Sequence, residues 1–336
     1  MLESLIGLLL YTRRAAAFGN FYIHFLIYSL NYSLISDKDI VELHPWATET
    51  LEWWFHWATH GSPGVLIKTM IPRNAKVTIT TDASMCGFGG IIHVAAEDHH
   101  PSTTHVFSHE LPPTLQKRLY NTPENLGKED PGTFLYINDL ELTASILGIL
   151  LTFQLLGSVR FGDTAVNSVS DNLSTVAWVD NQGTTSIRAM RSLQLLTADG
   201  PFNLPQHHSR GSYIPGPMNL VPDFLSRGFN SSDKVHQSVP SVSGSLIPEL
   251  PWNNKGDLLK HIRTQYPFSH PPAQLSQATW ITASTQTLSK LYSPLLSTVV
   301  TRPSPKSKSR RAAAVRGTSH GICRDIIENI PEPILR

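Results

Sequence analysis

Apolar and polar positions alternate through residues 76–108, where KVTITTDA, GFGGIIHVAA and THVFSHEL follow one another. Val77, Ile79 and Thr81, separated by polar neighbours, give the period of two that a half-buried strand requires. This stretch predicts three strands. Gly87, Gly89 and Gly90 open the second of them; they complete no G-x-G-x-x-G and precede a strand rather than a helix. They therefore predict a tight hairpin with close backbone approach, not a phosphate loop. TAVNSVSD at 164–171 and His207 to Pro215 predict a fourth and a fifth strand.

Helical spacing takes over elsewhere. Residues 1–36 predict two packed amphipathic helices around a break at Ala17-Phe18-Gly19-Asn20. In residues 37–73 a short helix carries Trp46, Trp53, Trp54 and Trp57 and ends at Gly61-Ser62-Pro63-Gly64. That aromatic cluster suits a docking surface against the next domain better than a base-stacking platform. Residues 109–137, rich in prolines and charges, read as a surface insertion. Asn138 offers an N-cap with Glu141 three positions on, a capping-box pattern, for a largely buried helix reaching about Leu156. LSTVAWVDN and TTSIRAMRSLQLLTA predict two more helices, with Trp178 in the core and Arg188 and Arg191 on a solvated face. Pro222 opens a last short helix with Asp223 in its first turn.

The character changes from residue 229. NSSDKVHQSVPSVSGSLIPELP is a Ser/Pro-rich linker, and the helical patterns at 255–264 and 283–299 lack a convincing core. Six basic residues lie between Arg302 and Arg316, a composition that is usually solvated; nucleic-acid affinity or nuclear import is the sharper reading. A recombinase or DNA-binding module in 229–336 lacks the Arg/His/Tyr set that such chemistry needs.

Within the apolar stretch Met1 to Leu10, Glu3 comes ahead of the run, and Arg13-Arg14 follow it, the reverse of a secretory signal. Asn20, His24 and Asn31 interrupt the next one, so a membrane-spanning helix is the lesser reading and no membrane partner is expected. A net charge of +1 gives no global argument for a polyanionic partner. Two distant cysteines, Cys86 and Cys323, argue against a disulfide scaffold or zinc site and fit a reducing compartment, cytoplasmic or nuclear.

Four carboxylates fall at the edges of these elements: Asp82, Glu141, Asp171 and Asp223. Taken singly, Asp82 is a turn former and Glu141 a helix cap. Taken together they suit phosphodiester hydrolysis, in which two divalent ions activate water and stabilise the leaving oxygen. Mg²⁺ (or Mn²⁺) prefers carboxylate oxygens and keeps its waters, so three or four acids suffice without His or Cys. If the strand ending at Asp171 runs parallel beside the strand ending at Asp82, their carboxylates emerge at one sheet edge, where the helix starts carrying Glu141 and Asp223 can cap it.

The order TDAS…GFGG, LELTA, SDN-x-S-T, IPGPMN-x-x-PD-x-LSR resembles the ribonuclease H domain of retroelement reverse transcriptase polyproteins, closest to the DIRS-like tyrosine-recombinase retrotransposons. The resemblance covers about residues 74–228. Upstream, SLIGLLLYTRRAAAFGNFYIHFL and LEWW look like the thumb and connection that precede this domain. It implies an α/β fold with a five-stranded mixed sheet flanked by helices, with residues 1–36 and 37–73 in front and 229–336 a poorly ordered tail. It also implies that Asp82, Glu141, Asp171 and Asp223 are the catalytic metal ligands, two ions the cofactor, and the RNA strand of an RNA–DNA hybrid the substrate. Cellular members carry a mobile His before the last acid, which PGPMN lacks; His207 and His208 lie upstream in the predicted strand. The paired aspartates of a polymerase palm are missing from the chain, so it reads as a fragment of a longer polyprotein. The alternative is a catalytically idle remnant that only binds nucleic acid.

Overall fold

The computed structural model describes residues 2–13, 16, 19–35, 43–60, 74–97, 100–120, 122, 124–125, 133–184, 186–197, 200–205, 207–227 and 278–297. The expected turn at 61–64, the Ser/Pro-rich linker, the helical pattern at 255–264 and the basic block at 302–316 lie outside them.

The five expected strands form as β1 (Val77–Ala83), β2 (Gly87–Val94), β3 (Thr103–Glu110), β4 (Ala165–Ser170) and β5 (His208–Tyr213). They join a sixth, β6 (Thr279–Trp280), in one mixed sheet of order β5-β4-β1-β2-β3-β6. The β1-β2-β3 meander is antiparallel, whereas β4 pairs parallel with β1, β5 with β4, and β6 with β3. The α/β class and the mixed sheet flanked by helices are thus as the sequence implied. The two-residue β6 is the addition, contributed by the stretch expected to be tail.

Among the described residues three α-helices precede the sheet: α1 (Leu2–Thr12), α2 (His24–Ile35) and α3 (Pro45–His60). Their apolar residues join the principal core: Ile6, Phe25, Leu26 and Trp54 are buried in the same cluster as Val77, Ile79 and Leu193. Two of the tryptophans pack on the segment before them, at Tyr22. Trp54 Nε1 donates to the Tyr22 carbonyl (2.5 Å), and Trp53 stacks on Tyr22 with ring centroids 4.2 Å apart.

After β3 come α4 (Pro113–Gln116) and α5 (Ile137–Gly162), the crossover that returns the chain to β4. α5 is long and apolar enough to span a membrane, but most of its apolar length is buried in the fold. Gly148 is what lets it lie close on β1, since a Cβ there would collide with the Ile79 side chain. Gly157, with φ +71°, breaks the helix just past its expected end at about Leu156, and a short second helical stretch continues to Gly162. The start of α5 differs. Asn138 is not the N-cap: the helix begins at Ile137, and the side chain that reaches back to the Tyr136 N–H belongs to Asp139 (3.2 Å). Asn138 instead accepts from Asn172 Nδ2 (2.7 Å), which frees Glu141 from capping.

Two further helices, α6 (Leu173–Asn181) and α7 (Ile187–Gln194), follow β4. Asn172 caps α6 by accepting the Thr175 N–H (3.0 Å), and Ser186 caps α7 by accepting that of Ala189 (3.3 Å). The solvated face expected for the α7 arginines is not found. Arg188 is buried, donates to the Phe134 carbonyl (2.6 Å) and pairs with buried Asp139 (3.2 Å). Arg191 pairs with Glu49 (2.6 Å) and lies over the Trp46 ring. The reason is that α3 and the start of α5 pack where sequence alone suggested water. Trp178 is half-buried against the core.

On the opposite side of the sheet from α5 lies α8 (Leu220–Arg227), whose Val221 and Leu225 form a second, smaller core with Ile91, Val106 and Ala278. The last helix among the described residues, α9 (Thr285–Leu296), has the core that its sequence was not expected to have: Leu291 and Leu295 are buried in the principal cluster, and Tyr292 stacks on His109. Each buried leucine contributes about 1.5–3 kcal/mol.

The Asp139–Arg188 pair links the first turn of α5 to α7 away from water. Asp139→Ala leaves a buried cation without its carboxylate and should lower unfolding free energy by about 3–5 kcal/mol. Chemical denaturation checks this; the double change Asp139→Leu with Arg188→Met should cost less than the single one.

Candidate active site

Parallel pairing aligns the carboxyl ends of β1, β4 and β5 at one edge of the sheet. Asp82 is the sixth residue of β1, Asp171 follows the last residue of β4, and Glu141 comes from the second turn of α5 as it passes that edge. These three acids each offer an oxygen within 4.8 Å of the others, and they form the one group of this kind among the described residues. Asp82 and Glu141 are buried; Asp171 is half-buried.

Asp223, the fourth predicted acid, is next to this cluster but not in it. It lies on α8 and pairs with Arg227, one turn later, at 2.7 Å. The structure therefore brings together three of the four predicted residues and places the last at their margin.

The approach of α8 depends on a glycine. A Cβ at Gly89, which is paired with Asp82 across the hairpin, would run into the Ser226 nitrogen and the Pro222 carbonyl. With that space open, Ser226 Oγ donates to Asp82 Oδ2 (2.5 Å), and Ser84 Oγ donates to the Ser226 carbonyl (2.7 Å). The buried Asn219 donates to the Thr81 carbonyl (3.0 Å) and to Asp171. Gly216 passes so close to Asp171 that an added Cβ would lie 3.1 Å from Oδ2. Gly89 thus serves close approach, as the pattern predicted, with a helix as its neighbour, whereas Gly90 makes room for the Phe107 ring of β3.

Gathering acids here raises their affinity for protons. Burial pushes Glu141 up to about 9, aided by Asp82 and Asp171 and opposed by a backbone hydrogen bond from Ala83. Burial pushes Asp82 up to about 7, against the Ser226 hydrogen bond, with Asp223 and Asp171 adding to the rise and Arg227 opposing it. Asp171 is raised as well, again chiefly by burial. One oxygen of Glu141, Oε2, is buried without a hydrogen-bond partner. Buried carboxylates that repel one another, with an oxygen left over and no His or Cys among them, fit hard divalent cations such as Mg²⁺ or Mn²⁺.

No histidine among the described residues joins this group. His207 is buried against Phe161, donates from Nδ1 to the Pro205 carbonyl (3.1 Å), and is lowered to about 4 by that burial. It is a core residue, as expected, and His208 begins β5.

Asn219, Ser226 and Arg227 were given no role from sequence. The signal was present for two of them, because Ser226 and Arg227 follow Asp223 by three and four residues, which places all three on one side of a helix. Asn219 had none, since its contact to Thr81 spans 138 residues.

No protein-family model matches the sequence, and no curated protein matches it. Solved structures that align with it include an RNase H1 (LC11) isolated from compost by a metagenomic approach, at 16% identity and TM-score 0.27 over 45% of this chain and 93% of that one. RNase H1 from the halophilic archaeon Halobacterium salinarum aligns at 12% identity and TM-score 0.26 over 44% of this chain and 92% of its own. A foamy viral protease-reverse transcriptase solved with double-stranded DNA aligns at 14% identity and TM-score 0.21, over 63% of this chain and 31% of that one. Likeness this low carries no weight beside the strand order and the site geometry.

The raised carboxyls make stability depend on pH. Their folded-state affinity for protons exceeds that of the unfolded chain, so the stability present below about pH 4 is lost as pH rises through about 7 and about 9. With chelator present, the melting temperature should fall from about pH 5 to about pH 9 as these groups ionise. Mg²⁺ should restore it, and more strongly at the alkaline end. Melting curves that neither pH nor Mg²⁺ moves would exclude a metal site at this edge.

Proposed function

We propose that the protein is an endoribonuclease that cleaves the RNA strand of RNA–DNA hybrids by two-metal-ion hydrolysis, as part of a retroelement reverse transcriptase of the DIRS-like type. The observation that carries this reading is the cluster of Asp82, Glu141 and Asp171, with ligand oxygens within 4.8 Å of one another at one sheet edge. Asp82, Glu141 and Asp171 would hold divalent ions, with Asp223 the fourth ligand. Bound there, Mg²⁺ or Mn²⁺ would supply the Lewis acidity that turns water into a nucleophile and offsets charge on the leaving oxygen.

The chain's own residues set the conditions. Ser226 fixes the orientation of Asp82 by donating to Oδ2, and Asn219 fixes Asp171, so two acids are aimed before substrate arrives. The sheet below Glu141 and α8 above Asp82 keep water off their flanks. A hybrid would be bound through its backbone and recognised by shape and 2′-hydroxyls rather than by base sequence.

A second reading is a catalytically idle remnant that binds nucleic acid only. The Asp223–Arg227 pair favours it, because it engages the fourth acid elsewhere.

Asp82→Asn in the full chain should reduce hybrid cleavage by roughly a hundredfold or more, the scale of losing one preorganised group at a reacting centre. The metal-free variant should melt no lower than the wild type, because the change removes a repelled charge and no core volume. A labelled hybrid with Mg²⁺ or Mn²⁺, beside single-stranded RNA, measures this. Cleavage that survives Asp82→Asn would end the assignment, whereas hybrid binding without cleavage by the wild type would favour the idle reading. Hybrid affinity should also fall with salt, since backbone phosphates supply most of the attraction.

A further inference from the structure

We propose that Arg227 is the counter-cation of the metal-free site, holding Asp223 outside the Asp82–Glu141–Asp171 cluster and releasing it when a divalent cation binds. The inference rests on the reading of that cluster as a metal site and adds how its fourth ligand is controlled.

Asp223 and Arg227 stand one helical turn apart on α8, the spacing at which side chains meet. Arg227 Nε lies 2.7 Å from Asp223 Oδ1, and both side chains are well exposed, at 46% and 39%. Asp223 is close enough for its charge to be felt by all three carboxyls of the cluster. Yet it is not among the acids whose oxygens lie within 4.8 Å of one another. Its carboxylate is turned to the guanidinium. Arg227 in turn acts on Asp82 and Asp171 with the sign opposite to that of every acid there.

The helix backbone cannot make the exchange, because α8 is pinned. Ser226 Oγ, between the two residues of the pair, donates to Asp82 Oδ2 at 2.5 Å and lies 2.9 Å from the Asp223 carbonyl. Leu225 and Val221 are buried in the second core. Only the side chains of Asp223 and Arg227 are left to rearrange. A pair this exposed is weak and screened by salt, so a divalent ion with three carboxylates already in hand can draw Asp223 away. The guanidinium released at the same edge carries the charge and planar donors that suit a phosphate.

Calorimetric titration of the full chain with Mn²⁺ tests the proposal without reference to cleavage. Arg227→Gln should bind Mn²⁺ about two- to fivefold more tightly than the wild type at low salt, the measured scale of exposed ion pairs. Arg227→Lys, which keeps the cation, should stay near the wild type. The gain should shrink at about 1 M salt, where screening reaches contact distance. It should also shrink when Arg227→Gln is made in an Asp223→Asn background, leaving only the part that Arg227 exerts on Asp82 and Asp171 directly; a gain of undiminished size there would overturn the role given to the pair. Arg227→Gln that binds Mn²⁺ equally or more weakly overturns the role of Arg227, because it would mean that the pair is neutral or helps to present Asp223. If the wild type takes up no Mn²⁺, or Asp82→Asn takes up as much, the metal-site reading falls and this inference with it.

Discussion

The parallel pairing of β1 with β4 is the constraint on which the rest of the molecule depends. Parallel neighbours cannot be joined by a hairpin, so a long crossover must leave β3 and return to the start of β4. That crossover is α5, and it is nearly all apolar because it lies between the sheet and the other helices. Its path past the carboxyl ends of β1 and β4 is what delivers Glu141 to Asp82 and Asp171. One choice of strand direction thus assembles three residues that are 59 and 30 positions apart in sequence.

Concentrating acids at this edge works against folding, and the surrounding residues show how the molecule contains the cost. Ser226 and Asn219 donate to the acids, Arg227 contributes an opposing charge, and Gly89 and Gly216 let backbone come close without a side chain in the way. Even so, burial keeps Asp82 and Glu141 well above the ordinary carboxylate range. Preorganised active centres commonly carry this kind of local disadvantage, which the distant core offsets.

How far the sequence revealed this follows from the range of each interaction. The strands were legible because period-two patterning and turn glycines are local signals, and Asp82, Glu141 and Asp171 were legible because each marks the end or start of such an element. Glu141 was nevertheless open to misreading as a cap, since only the structure shows that Asp139 reaches back to Tyr136 and that Asn138 is engaged by Asn172. Arg188 was misplaced for the same reason. A cation at helical spacing looks solvated until its partner, 49 residues earlier, is known. Asp223 was foreseen as a fourth equal of the cluster, and what could not be foreseen was its preference for Arg227. The core under α9 was missed because its short apolar stripe, Leu288, Leu291, Tyr292 and Leu295, finds its partners far away in sequence, across the fold.

The return of residues 278–297 to the sheet has a bearing on where this folding unit can be cut. β6 covers the outer side of β3, a strand that would otherwise offer a row of unpaired backbone groups to any passing chain. α9 closes the principal core next to Phe88 and His109, and Arg118 and Lys290 tie it down through the carbonyls of Ser297 and Pro201. A polypeptide ended after α8 would keep every acid of the site while exposing a sticky strand and an apolar hollow. The folding unit that carries the acids therefore includes β6 and α9, some fifty residues downstream of Asp223.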